Sequence, residues 1–202
     1  VIEAVVFDMD DVLCRYRIER RLELLAAWSG RSPDAIHAAI WRSGFEDEAE
    51  RGVFTADAYL REFGARMGYA LSATEWIHAR RAATEPDEAM LAIARRVGTG
   101  RPVAMFTNNP FLLKRHIGEV FPAVPEIFAE RALFSAELGC RKPDPEAFRR
   151  LAARLDMPPG RVLLFDDNAD YVAGARAAGI EAHRFDGVAG VRDRLAAHAI
   201  RA

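Results

Sequence analysis

Cysteine is scarce in this chain, and Cys14 and Cys140, the only two, follow no spacing that a disulfide framework or a metal site would use. Their isolation predicts two reduced, buried thiols in a cytoplasmic protein. Long apolar runs are missing as well. None approaches the ~20 residues a bilayer span requires, and the first residues read as a strand rather than as a charged leader with a cleavage site. Neither sign of charge is in excess: 28 basic and 30 acidic residues leave a net charge of −2, with the arginines scattered or in pairs. That balance offers no footprint for nucleic acid, and no membrane partner is expected. Lysine is equally scarce. Only Lys114 and Lys142 occur among the 28 basic residues, so a lysine within Gly139-Cys140-Arg141-Lys142-Pro143 stands out, whereas Lys114 lies on a helical stretch and is expected to face solvent. Repeats and low-complexity segments are absent. With half of its 202 residues apolar, the chain can bury a core as one domain carrying a modest insert.

The first apolar stretch, residues 2 to 7, is short and rich in β-branched residues, which suits a strand covered on both faces. From about Arg15 to Pro86 the apolar residues recur at helical spacing instead: Ile18, Leu22 and Leu25, Ile36 and Ile40, Tyr59, Phe63 and Met67. Helix starts are marked by Ser32-Pro33-Asp34, by Thr55 ahead of Asp57, and by Ser72-Ala73-Thr74-Glu75 at capping-box spacing. No strand is expected in this interval. After Pro86-Asp87-Glu88, strands over 102–106, 132–134, 162–165 and 180–185 alternate with helices, which predicts an α/β fold with a doubly wound parallel sheet and right-handed crossovers. Residues 1–14 and 86–202 would form the sheet-bearing core, and residues 15–85 a small α-helical cap inserted after the first strand.

In an open parallel sheet, ligands gather beyond the carboxyl ends of the strands. Asp8 and Asp10 follow the first strand, Thr107-Asn108 follows 102–106, Asp166-Asp167 follows 162–165, and Lys142 lies in the loop after 132–134, so all can meet on one rim. Three carboxylates within four residues, Asp8, Asp10 and Asp11, would be expensive to bury without a cation. Hard oxygen ligands suit Mg²⁺, held by Asp8, Asp167 and a backbone carbonyl near Asp10. His37, His78, His116, His183 and His198 are widely separated, and no zinc-type cluster is expected. With a phosphate on that metal, Asp8 can attack phosphorus as a carboxylate, while Asp10 protonates the leaving alkoxide and then deprotonates water. The Thr107 hydroxyl, the Asn108 amide and Lys142 would meet the charge spread over the phosphoryl oxygens. Arg15, Tyr16 and Arg17, with Trp41 and Phe45, are the insert residues that could touch the rest of the substrate, core packing being the equal or better reading of the two aromatics. The acidic run 46–50 and the arginine pairs 80–81, 95–96 and 149–150 are expected to be solvated faces.

In this order, the four segments resemble the haloacid dehalogenase superfamily, specifically its phosphatases with a helical cap after the first strand. Phe7-Asp8-Met9-Asp10-Asp11-Val12-Leu13 looks like the first motif, Phe106-Thr107-Asn108 the second, Arg141-Lys142-Pro143 the third, and Leu164-Phe165-Asp166-Asp167-Asn168 the fourth. Leu138 to Pro143 and Phe165 to Asp170 are most similar to the α-D-glucose-1-phosphate phosphatase-like branch and to the phosphatase domain of soluble epoxide hydrolase. The resemblance implies a Rossmann-like core with Asp8 as nucleophile and Asp10 as acid-base. Thr107, Asn108 and Lys142 would bind phosphate, and Asp8, Asp10, Asp166 and Asp167 would bind Mg²⁺, with the doublet leaving open which member coordinates directly. The implied reaction is Mg²⁺-dependent hydrolysis of a small phosphorylated metabolite, sugar phosphates included, through an aspartyl-phosphate; the alternatives are a phosphosugar mutase and a non-catalytic phosphometabolite-binding protein. Asp10 argues against a dehalogenase, which lacks an acid at that position. Asp11 stands where the commonest motif has glycine and is expected to shape the turn.

Overall fold

The computed structural model describes every residue from Val1 to Ala202. Strand β1 (Ala4–Phe7) is followed by β2 (Cys14–Tyr16) and then by five helices: α1 (Ile18–Ser29), α2 (Pro33–Ile40), α3 (Phe45–Glu50), α4 (Ala56–Met67) and α5 (Ala73–Ala82). The chain returns through β3 (Thr84–Pro86), α6 (Glu88–Gly98), β4 (Val103–Thr107), α7 (Phe111–Val120), α8 (Ala123–Phe128), β5 (Ala132–Phe134) and α9 (Ser135–Leu138). It ends with α10 (Pro145–Arg154), β6 (Val162–Asp166), α11 (Ala169–Ala177), β7 (Glu181–Arg184) and α12 (Val188–Ala197). No helix is long and apolar enough to cross a membrane.

Five strands pair in parallel in the order β5-β4-β1-β6-β7. The chain steps outward from β1 to β4 and β5, then crosses back to β6 and β7, so the strand order reverses beside β1. A crevice opens at that reversal, beyond the carboxyl ends of the strands. Strands β1, β4 and β6 are buried along their whole length, and their near-continuous apolar sequences are the consequence of helices on both faces. Side chains alternate between two cores: Val5, Phe7, Met105, Leu163 and Phe165 enter one, and Val6, Ala104, Phe106 and Leu164 the other.

The first core continues without a break into the helices between β2 and β3. Phe45, Tyr59, Phe63 and Trp76 belong to the same buried cluster as Leu112 and Leu113 of α7. Within it Phe45 stacks on Tyr59 with ring centroids 5.1 Å apart and planes at 9°. One backbone approach is especially close: at Gly52 (φ +77°) a Cβ would lie 2.3 Å from the Ala136 carbonyl oxygen, so only glycine lets the chain after α3 lie on α9.

The structure corrects three expectations. The interval 15–86 contains strand residues, because β2 and β3 form an antiparallel ribbon with Cys14 opposite Pro86 and Tyr16 opposite Thr84. Three residues a side are too few to show a period in the sequence. The acidic run is not a solvated face: Glu46 is buried and accepts a 2.5 Å hydrogen bond from the Tyr59 hydroxyl, while Asp47 and Glu50 pair with Arg141 at 3.0 and 2.6 Å. Nor is Arg80 on a solvated face, since it is 1% exposed. The two thiols are buried, and Lys114 is half-exposed beside Glu137.

Candidate functional site

The amide of Asp8 donates to the Phe165 carbonyl at 2.9 Å, which keeps β1 and β6 in register up to the point where both end in carboxylates. Beyond it the chain folds back on itself, with the Leu13 amide donating to the Met9 carbonyl at 2.9 Å and Asp11 in the left-handed region at φ 59°. An aspartate tolerates that conformation because its short carboxylate bonds locally; here it accepts the Tyr16 amide at 3.0 Å. The turn sends the chain directly into β2.

Lys142 occupies the centre of the rim. Fully buried, its Nζ lies 2.9 Å from Asp8 Oδ1 and 2.6 Å from Asp166 Oδ2, and it donates to the Phe106 carbonyl at 3.2 Å. Burial alone would lower the Lys142 ammonium, but Asp8 and Asp166 hold it above its usual range. Burial pushes the Asp8 carboxyl well above the carboxylate range; Lys142 pulls it back and Asp166 adds to the rise. The half-buried Asp167 is raised by burial and by Asp166 and Asp11. The ligand oxygens of Asp8, Asp166 and Asp167 all lie within 4.8 Å of one another, and the one ammonium beside them pairs with only two of the three carboxylates. An all-oxygen group with too little positive charge fits a hard divalent cation.

Asp10 does not join that group. Its carboxylate accepts from Arg80 Nη2 at 2.7 and 2.8 Å, and from Asn109 Nδ2 at 3.4 Å. Arg80 is fixed in turn: Nη1 donates to the Thr84 hydroxyl at 3.0 Å and the guanidinium carbon sits 4.1 Å from the centre of the Tyr16 ring. Thus Asp10, at the end of β1, is tied to the last helix of the excursion between β2 and β3. Helical phase could have found Arg80, because on α5 it continues the buried stripe of Trp76 and Ala79 at i+4 and i+1.

Thr107, at the end of β4, is 1% exposed and accepts from Asn109 Nδ2 at 2.7 Å. The Asn108 carboxamide is committed elsewhere. Its Nδ2 donates to the Lys142 carbonyl at 2.9 Å and its Oδ1 accepts the Lys142 amide at 3.0 Å, a two-point brace on the backbone that carries the lysine. Asn109 joins Thr107 to Asp10 and was not singled out in the sequence. Of the insert residues, Tyr16 borders the site through Arg80, Arg15 is exposed and Arg17 pairs with Glu85 at 3.2 Å. Phe45 is buried, and Trp41 packs edge-on against Phe63 at 6.0 Å, so both serve the aromatic core of the excursion.

Arg141, one residue before Lys142, links the rim to α3 through Asp47 and Glu50. Burial outweighs Arg141 at this contact and pushes the Glu50 carboxyl from 4.5 up to about 8. Between those two values the folded chain holds a proton that the unfolded chain has released, so stability falls as pH rises through the window and levels off above it. Glu50→Gln is expected to flatten that slope. Urea midpoints from about pH 5 to 8.5 measure it, and an unchanged slope would refute the assignment.

A model of the haloacid dehalogenase-like hydrolases matches residues 2–179. The phosphatase MT3486 of Mycobacterium tuberculosis is 28% identical over 201 residues, covering 95% of this chain and 91% of that protein. A phosphoserine phosphatase from Thermus thermophilus is 32% identical over 165 residues, spanning 80% of this chain and 57% of its own length. Among solved structures, a haloacid dehalogenase-family enzyme from Bacteroides thetaiotaomicron, in complex with magnesium and inorganic phosphate, superposes with a TM-score of 0.78 at 19% identity, over 91% of this chain and 94% of that one. The last likeness shows the fold. The family model spans all four rim segments, from the carboxylates after β1 to the doublet after β6, and on that match the chain belongs to the haloacid dehalogenase-like hydrolases.

Proposed function

We propose that this chain hydrolyses phosphomonoesters of small metabolites by way of an aspartyl-phosphate on Asp8. The observation that carries the reading is Asp10, an acid two residues beyond Asp8, held by Arg80 and Asn109 at the mouth of the crevice. An alkoxide leaving group needs a proton at the moment the P–O bond breaks, and halide does not. The similarity to a phosphatase along nearly the whole chain supports the same reading.

Asp8, Asp166 and Asp167 would hold a Mg²⁺, which when bound supplies the positive charge that lets a dianionic phosphate approach a carboxylate. One Asp8 oxygen then attacks phosphorus and the ester P–O bond breaks. Asp10, having taken up a proton, delivers it to the departing oxygen. In the second half Asp10 accepts a proton from the water that attacks the phosphorus. The bond from phosphorus to Asp8 breaks, releasing inorganic phosphate and restoring the Asp8 carboxylate. Lys142 stays against Asp8 throughout and meets charge developing on the phosphoryl oxygens, as does the Thr107 hydroxyl. Arg80 keeps Asp10 aimed at the leaving group. Asn108 acts through its brace on the Lys142 backbone.

Release of phosphate from p-nitrophenyl phosphate and from a panel of sugar, hydroxy-acid and amino-acid phosphates is the test. Turnover is expected with Mg²⁺, is lost to a chelator and returns when Mg²⁺ is restored. Turnover untouched by chelation, or saturable binding with no phosphate released from any member of the panel, would overturn the proposal. Transfer of the group to a second sugar hydroxyl without phosphate release would mark a mutase.

A further inference from the structure

The histidines that lie far apart in the sequence do not all remain so. On β7, the edge strand of the sheet, Glu181 and His183 are two residues apart and therefore share a face. His198, the C-cap of α12, reaches the same point from a different element. His183 Nε2 lies 3.3 Å and His198 Nε2 2.7 Å from a single oxygen, Oε1 of Glu181, and the three ligand atoms fall within 4.8 Å of one another. No arginine or lysine pairs with Glu181, whose ion-pair partners are these two imidazoles. The His183 ring packs tilted against Phe165, with centroids 6.2 Å apart, and its Nε2 is turned to Glu181.

From these residues we propose a second metal site, for a borderline-soft divalent ion such as Zn²⁺, separate from the carboxylate group at the ends of β1 and β6. Two imidazoles and one carboxylate are a ligand set zinc takes with a water in the fourth position. Neutral imidazole selects zinc, nickel or copper, whereas oxygen ligands and water suit magnesium, so the two sites divide the ions between them. The geometry is close to what binding requires. Metal bonds of about 2.0–2.1 Å at a tetrahedral centre place ligand atoms roughly 3.4 Å apart. The separation between His183 and Glu181, 3.3 Å, already has about that value, and His198, at 2.7 Å, has to retreat by roughly 0.7 Å. It can do so, because His198 is 25% exposed and follows the last turn of the terminal helix. Glu181, 41% exposed, leaves the open side to water. On binding, each imidazole carries its proton on Nδ1 and presents the Nε2 lone pair. The bound ion would fasten α12 to β7, whose last residue, Arg184, donates from Nε to the Asp167 carbonyl at 3.0 Å. The site would therefore stabilise the edge of the sheet beside the rim without taking part in the chemistry there.

Zinc titration of the metal-free 202-residue chain, in excess Mg²⁺, tests this by calorimetry and thermal unfolding. One equivalent of Zn²⁺ is expected to bind. At about 100 times its dissociation constant it should raise the Tm by roughly 5–10 °C. His198→Ala and, independently, His183→Gln should each weaken binding at least about tenfold, while Asp167→Asn should leave it unchanged. Because His198 is part-exposed at the end of the chain's last helix, its variant keeps the fold and can be checked by its metal-free Tm. Zinc binding that survives both histidine variants, binding abolished by Asp167→Asn, or no heat and no shift in the parent protein would each overturn the proposal.

Discussion

Arg80→Ala is expected to lower kcat by about 10² to 10³ while leaving KM nearly unchanged, and to do so only while Asp10 is present. The guanidinium touches both Asp10 oxygens and makes no contact with Lys142, Asp8 or Asp166, so its effect on turnover has to pass through the acid. A proton-transferring carboxylate that is free to rotate loses the near-attack geometry on which its contribution depends. In an Asp10→Asn background the second substitution should therefore cost almost nothing more, and the double-mutant cycle, run on kcat, measures the coupling. Losses that multiply would show that Arg80 works independently of Asp10. Arg80→Lys should recover part of the rate, since an ammonium offers charge but not the planar fork that fits a carboxylate. Arg80 itself is 1% exposed, so the urea midpoint of each variant separates a loss of fold from a loss of rate. Asp10 is 26% exposed, and water can take over part of the lost pairing.

The second large effect falls on the buried triad. Lys142→Met is expected to destabilise the protein by about 3–5 kcal/mol, because removing one partner of a buried ion pair leaves uncompensated charge in a dry environment. Both of its carboxylates, Asp8 and Asp166, are at most 8% exposed. Adding Asp166→Asn to Lys142→Met should restore a large part of that stability, though none of the activity. Asp8→Asn should behave in the opposite way, with the fold preserved and turnover reduced by more than about 10⁴, because the amide keeps the shape of the side chain but cannot attack phosphorus. Chemical denaturation separates the two outcomes from phosphate release. If Lys142→Met unfolds at the parental urea concentration, the ammonium does not hold these charges together.

The parts of the molecule legible in its sequence are those written in a strong period or a strong contrast. Apolar runs ending abruptly in acids announced β1 and β6, and the helical spacing between Ile18 and Met67 announced the excursion. What escaped was short or two-faced. The β2–β3 ribbon has no period to detect, and α8 and α9 are six and four residues long. Arg80 stands beside the exposed Arg81, so the pair looks like solvated charge unless the buried stripe of Trp76 and Ala79 is carried one position further. Glu46 and Glu50 were obscured in the same way by the acidity of their neighbours, although Phe45 and Ala49 mark the inner side of that helix. The meeting of Glu181, His183 and His198 depends on how α12 returns to the sheet edge, and no local pattern encodes that. Asn108 shows a subtler limit. Its position on the rim was evident, but a carboxamide can face a ligand or a backbone, and only the fold shows it bracing Lys142.

The ribbon formed by β2 and β3 has a bearing on how this fold tolerates change. It brings Cys14 opposite Pro86, so the whole five-helix excursion leaves and re-enters the sheet at a single closed neck. The entropy of closing such a loop grows only with the logarithm of its length, and doubling the length adds about 0.6 kcal/mol. Residues can therefore be inserted beyond the neck at little entropic cost, provided that the aromatic cluster still packs against Leu112 and Leu113, Gly52 still lies flat on Ala136 and Arg80 still reaches Asp10. Those contacts, with the Arg141 pairs to Asp47 and Glu50, are the constraints on how the excursion can vary.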